Sequence, residues 1–255
     1  MPRNAAGRVH SLLTEAKSRP ANQPAFHVWA SVLGCGGSVE LVLPLLAEIL
    51  EQLDDVEVEI RDKFPDQKAS VLLKLVPKIR QAIAHPSLGA SWGEVSPLLT
   101  NEALFSLEVL AQDTEEYVDV EPDEIATINA AVGELFDLVE KSDLNKRLKQ
   151  WIMNWLSAIR RAIDLYRIRG AKGLSDALIR LQGEAWFFEP ALKEVEKKAP
   201  TVFERLTSLF DTICKASDIS ERCRKLCESP IVARLGSWTL GRLVDGSGPD
   251  VPPEN

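Results

Sequence analysis

The strongest constraint on this chain is the spacing of its apolar residues, which return every three or four positions in one segment after another. Leu41, Leu45, Leu46, Ile49, Leu50 and Leu53 share one face of a 3.6-residue repeat, and Trp151, Trp155, Ile159, Ile163 and Tyr166 form another such stripe. Only Val56-Glu57-Val58-Glu59-Ile60 alternates as a strand does. A lone short strand finds no partner in this chain, so the preceding helix is extended through it to about Asp62. With two tyrosines and few Thr/Val runs, nothing favours a β fold. The expected fold class is all-α, an N-terminal helical bundle followed by a second helical domain.

Prolines, glycines and charge divide that pattern. Residues 1–24 hold Pro2, Pro20 and Pro24 around one weak helical patch, Val9 to Ala16, and read as a loosely ordered arm. The bundle spans 25–112. Its first helix stops at Gly34-Cys35-Gly36-Gly37, a turn without the lysine and Ser/Thr that a phosphate-cradling loop requires. Ser38 caps the next helix, which tolerates Pro44 only in its first turn or at a kink. Further helices are expected over 68–84 and 101–112, with Trp92 anchoring the loop between them. Acids then crowd from Asp113 to Asp123, making 113–122 an acidic linker; their spacing does not fit a calcium-binding EF-hand loop. The C-terminal helical domain covers 123–243, with helices near 123–141, 144–169, 175–188, 201–216, 219–228 and 230–243. The tail 244–255 is too polar and proline-rich to fold.

Composition narrows the chemistry. The net charge of −8 opposes generic nucleic-acid binding. Three histidines cannot supply a multi-histidine metal enzyme, and no histidine lies near Cys223 and Cys227 to complete a zinc shell. No metal or other cofactor is expected. The cysteines, Cys35 and Cys214 included, read as reduced, small apolar side chains. No apolar run is long enough to span a membrane, and the first residues lack the apolar core of a signal peptide; the expected location is the cytoplasm. His27 sits in an apolar context and reads as a core histidine. The basic residues around the tryptophan stripe (Lys146, Arg147, Lys149, Arg160, Arg161, Arg167 and Arg169) allow nucleic-acid binding, a lipid surface, or pairing with the acidic helix before them. The last is the favoured reading.

One segment carries a chemical suggestion, Lys78-Ile79-Arg80-Gln81-Ala82-Ile83-Ala84-His85-Pro86. Pro86 disfavours the helical conformation of the residue before it, so the helix through Arg80 should end at or just before His85. A titratable imidazole beside a fixed guanidinium suits phosphodiester cleavage. Arg-x4-His in this form resembles the signature of the HEPN superfamily, over roughly residues 25–115. That resemblance implies a metal-independent ribonuclease of toxin or antiviral-defence type, acting on RNA as a homodimer whose two motifs form one site. Arg80 would hold the phosphate and His85 would move protons. Gln81, which can hydrogen-bond but not act as acid or base, and Lys78 are the candidates for holding substrate beside them. Two other readings stay open. His85 can cap its own helix's last carbonyls with Arg80 on a solvated face. The chain can equally be a non-catalytic helical adaptor that binds protein partners, one of them through the C-terminal domain, with Arg80 tied to an acid such as Glu94 or Glu108.

Overall fold

A computed structural model describes residues 4–85, 87–113, 120–187 and 189–216. Among them every regular element is helical, as expected, and the one β-type pairing is an isolated bridge between Pro24 and Ser91. The chain divides into two compact units. Met1–Asp119 and Asp164–Gly173 make the first; Val120–Ile163 and Leu174–Asn255 make the second. Most of the expected acidic linker, the helices at 219–228 and 230–243, Cys223, Cys227 and the tail lie outside the described residues.

The first unit begins with a helix where an arm was expected. Helix α1, Ala5–Lys17, buries Ala6, Val9, Leu12, Leu13 and Ala16. These positions step by three, three, one and three, which is one face of a helix, so the short stretch docks along its whole length. Asn4 caps it, its side-chain oxygen accepting from the Gly7 amide at 2.8 Å. Helix α2, Ala25–Leu33, stops at Gly34, whose φ of +68° is the left-handed conformation that glycine adopts without strain. Helix α3, Val39–Lys63, runs straight through the alternating stretch. Val56 and Ile60, one turn apart, are buried, and Val58 between them is 55% exposed. Pro44 lies in its second turn, where the missing amide leaves the Glu40 carbonyl without its helical donor.

The expected helix 68–84 is two helices, α4 (Asp66–Leu73) and α5 (Val76–Ile83). Pro77 explains the break. Its ring would strike the carbonyl of Leu73 in a continuous helix, but in the first turn of a new one it costs nothing. A short helix α6, Trp92–Val95, and a 3-10 turn at Ser96–Leu98 lead into α7, Asn101–Asp113. Trp92 is fully buried and meets Trp29 edge to face, 5.6 Å between ring centroids. The core of this unit joins Leu13, Trp29, Ile49, Leu53, Ile79, Ile83, Trp92 and Leu107, and it includes Leu165 and Ile168 from far along the chain.

Those last two residues correct the expected helix 144–169. Helix α9, Lys146–Asp164, stops before Leu165, and α10, Tyr166–Phe187, contains a non-helical residue, Gly170, at φ +59°. The ten residues from Asp164 to Gly173 belong to the first unit. There the basic side chains pair with acids of α1 and α3 rather than with the acidic helix that precedes α9. Arg167 bonds Glu15, Arg169 bonds Glu48 at 2.5 Å and also Glu51, and Lys172 bonds Asp55 at 2.6 Å.

In the second unit, α8 (Pro122–Lys141) opens with the Glu124 carboxylate accepting from the Glu121 amide at 3.2 Å. Trp155, Ile159 and Ile163 of α9 face inward, as their spacing suggests, and the Trp155 indole donates to Glu184 at 2.9 Å. Arg160 stacks over the Phe136 ring of α8. Helix α11, Glu189–Lys198, falls between the expected helices 175–188 and 201–216 and contains Pro190. It stands in the first turn, where proline is tolerated. Helix α12, Pro200–Ala216, closes the described chain with Val202, Leu206, Leu209 and Ile213 buried.

Candidate functional site

Arg80 stands in the last turn of α5, on the edge that faces α3. Ile79, Ala82 and Ile83 on the neighbouring positions are buried and hold the helix against the core. The guanidinium then reaches two carboxylates one turn apart on α3. It donates to Asp54 and to Glu57, each at 2.6 Å. These hydrogen bonds, Asp54's first, raise the Arg80 pKa further above an already high value, so the group is a fixed cation at every accessible pH. Arg61 also bonds Glu57, at 3.2 Å. The result is a cation held between acids at a half-exposed surface.

The helix ends where Pro86 suggests. Ala84 is the C-cap, its amide donating to the Arg80 carbonyl at 2.8 Å. His85 does not cap that helix. Its Nδ1 lies 3.0 Å from the Ser87 carbonyl oxygen and 3.3 Å from the Ser87 amide, so it donates to the first in one tautomer and accepts from the second in the other. The imidazole is thereby turned forward, into the loop. That loop is fixed to the start of α2, where the Ala25 and Phe26 amides donate to the Ala90 and Leu88 carbonyls, each at 2.9 Å. Two otherwise unpaired donors of the first turn of α2 are satisfied in this way.

The two remaining candidates do not join them. Lys78 and Gln81 are exposed on α5. Lys78 is about 200° around an ideal helix from Arg80. Its charge falls instead near Glu102 at the start of α7, where it adds to hydrogen bonds from Glu102's own backbone and Thr100 that lower the carboxyl pKa. Arg80 engages two acids, though they are Asp54 and Glu57 rather than Glu94 or Glu108. His27, expected in the core, is exposed and stacks on Phe26 at 4.1 Å. Cys35 is half-buried and packs against the core of the first unit as a small apolar side chain.

Elsewhere among the described residues, no cluster of three or more histidine, cysteine or carboxylate side chains could hold a metal ion, and no helix is long and apolar enough to cross a membrane. An open cleft of about 580 Å³ lies between α1 and α7, lined by His10, Ser11, Thr14, Glu108, Ala111 and Gln112 among others. Residues 1–24 were expected as a loosely ordered arm, which has no wall to offer such a cleft. No protein-family model matches the chain, and no match is found among curated proteins or among solved structures.

Proposed function

We propose that this chain is a non-catalytic helical adaptor that binds protein partners. The observation that carries the reading is the double engagement of Arg80 by Asp54 and Glu57. A phosphate approaching that guanidinium must displace or face two carboxylates, and their negative field opposes it. A phosphate clamp instead needs its arginine fork open toward the ligand.

The ribonuclease reading stands second, and one observation favours it. Helix α5 does end before His85, leaving the imidazole on a held loop one turn beyond Arg80. That reading requires two copies of the chain to bring two Arg80–His85 pairs together on RNA, with no metal.

Incubation of the purified protein with total RNA in EDTA, beside a His85→Ala variant, separates the two. The adaptor reading expects intact RNA with both proteins. Cleavage that survives chelation and disappears in the variant overturns it and assigns His85 to catalysis.

A further inference from the structure

Asp164–Gly173 is a strap of ten residues laid into a unit that otherwise ends at Asp119. It fills part of that unit's core with Leu165 and Ile168, both buried. Its seat is polar as well as apolar. Among the described residues the buried polar side chains are Asn4, Arg8, Glu48 and Gln52. Two of these grip the strap. Arg8 donates to the Ile168 carbonyl at 3.1 Å, and Glu48 accepts from Arg169 at 2.5 Å. Gln52 follows Glu48 by one turn of α3, and its amide donates to Asp55 at 3.3 Å. Asp55 in turn accepts from Lys172 of the strap at 2.6 Å.

The first unit is incomplete without these contacts. Glu48, Glu51 and Asp55 stand on α3 at steps of three and four, where like charges repel. The strap brings Arg169 and Lys172 to them, and Arg167 to Glu15 of α1, which also pairs with Arg19. The Arg167–Glu15 and Lys172–Asp55 pairs are exposed enough for water and salt to screen them. Glu48 and Arg8 are not, so solvent cannot replace what the strap gives them. Removing the strap would also leave the spaces of Leu165 and Ile168 in the core unfilled.

We propose that Asp164–Gly173 is a clasp that completes the first unit and ties the later chain to it without a continuous backbone. The first unit then reaches its native state only once residue 173 has been made, after residues 120–163 of the second unit. Cutting the chain within 114–119 leaves the two pieces held together by the seated strap. This device goes beyond the adaptor reading and does not depend on what the chain binds.

The test is a full chain carrying a specific protease site within 114–119, cleaved after folding. The cut protein should run as one species on size exclusion at micromolar concentration. Ile168→Ala, which removes a buried anchor of the strap, should raise the concentration at which the pieces separate about tenfold or more. Ile213→Ala, the same deletion at a buried position of α12, should leave it within about twofold. Separation of the cut wild-type pieces, or equal weakening by both variants, overturns the clasp. Hydrogen exchange of the uncut wild type tests it without substitution. The Ile168 and Arg169 amides, both bonded to the Leu165 carbonyl at 2.9 Å, should exchange within about tenfold of the Leu12 and Leu13 amides of α1. Faster exchange of the strap beside a protected α1 would show that the first unit stands without it, and the proposal would be wrong.

Discussion

Gly170 lies directly against the guanidinium of Arg8, so that a Cβ at position 170 would stand 2.5 Å from Nη1 and 2.8 Å from Cζ. Arg8 is 5% exposed, and its Nε donates to the Ile168 carbonyl at 3.1 Å. One buried side chain of α1 thus grips the backbone of a segment some 160 residues later. Glycine is required twice over, for its φ of +59° and for this approach. Gly170→Ala is expected to destabilise the protein by about 2–4 kcal/mol, combining left-handed strain with displacement of Arg8. Gly183→Ala is the control. That residue lies within α10 with nothing inside 4 Å of the added methyl, and the change should stabilise by about 0.4–1 kcal/mol. Urea unfolding of both variants checks the pair, and equal effects would contradict it.

Arg169 and Glu48 make the most buried ion pair of the same segment, with side chains 27% and 9% exposed. Removing the cation takes a charge partner from a carboxylate that water barely reaches. Arg169→Ala should cost about 3 kcal/mol by that mechanism. Replacing both partners, Arg169→Met with Glu48→Leu, should recover most of the loss, because no uncompensated charge remains. Denaturation midpoints of the single and double variants decide the matter; a double variant no better than the single one would place the energy in packing instead.

The helical fold was readable because the 3.6-residue period recurs in nearly every segment, and even Val56-Glu57-Val58-Glu59-Ile60 yields to it once a partner strand is lacking. The burial of α1 is readable in the spacing of Ala6, Val9, Leu12, Leu13 and Ala16, although Pro2, Pro20 and Pro24 around it suggest an arm. Where Asp164–Gly173 docks was not readable. Arg167, Arg169 and Lys172 could pair with any of the chain's acids, and local periodicity says nothing about which helix lies opposite. The same limit applied to the candidate site. The end of α5 before His85 follows from Pro86, a local rule, and is what the structure contains. The partners of Arg80 lie 26 and 23 residues earlier, at a distance no motif encodes.

The Arg80 pairs are exposed enough that their energetic weight should be small. Asp54 is 63% and Glu57 21% exposed, against 36% for Arg80. Arg80→Ala is expected to cost no more than about 1 kcal/mol, decreasing with added salt. Thermal unfolding at low and high ionic strength checks this. A loss of several kcal/mol that salt does not reduce would mean that the arginine stem, not its charge, supports α5.

The Trp29–Trp92 pair should dominate the core of the first unit. Both indoles are fully buried, and they meet at 84° between planes, the edge-to-face arrangement that the ring quadrupole favours. Trp92→Ala should therefore cost about 3–5 kcal/mol through lost burial and an unfilled cavity. Trp92 also sits where the loop after His85 joins the bundle, its amide donating to the Gln23 carbonyl at 2.7 Å. A double-mutant cycle of Trp29→Leu and Trp92→Leu should leave a coupling of about 0.5–1.5 kcal/mol beyond the separate losses. Additive losses would show that each ring contributes through its own pocket and that the edge-to-face contact adds nothing.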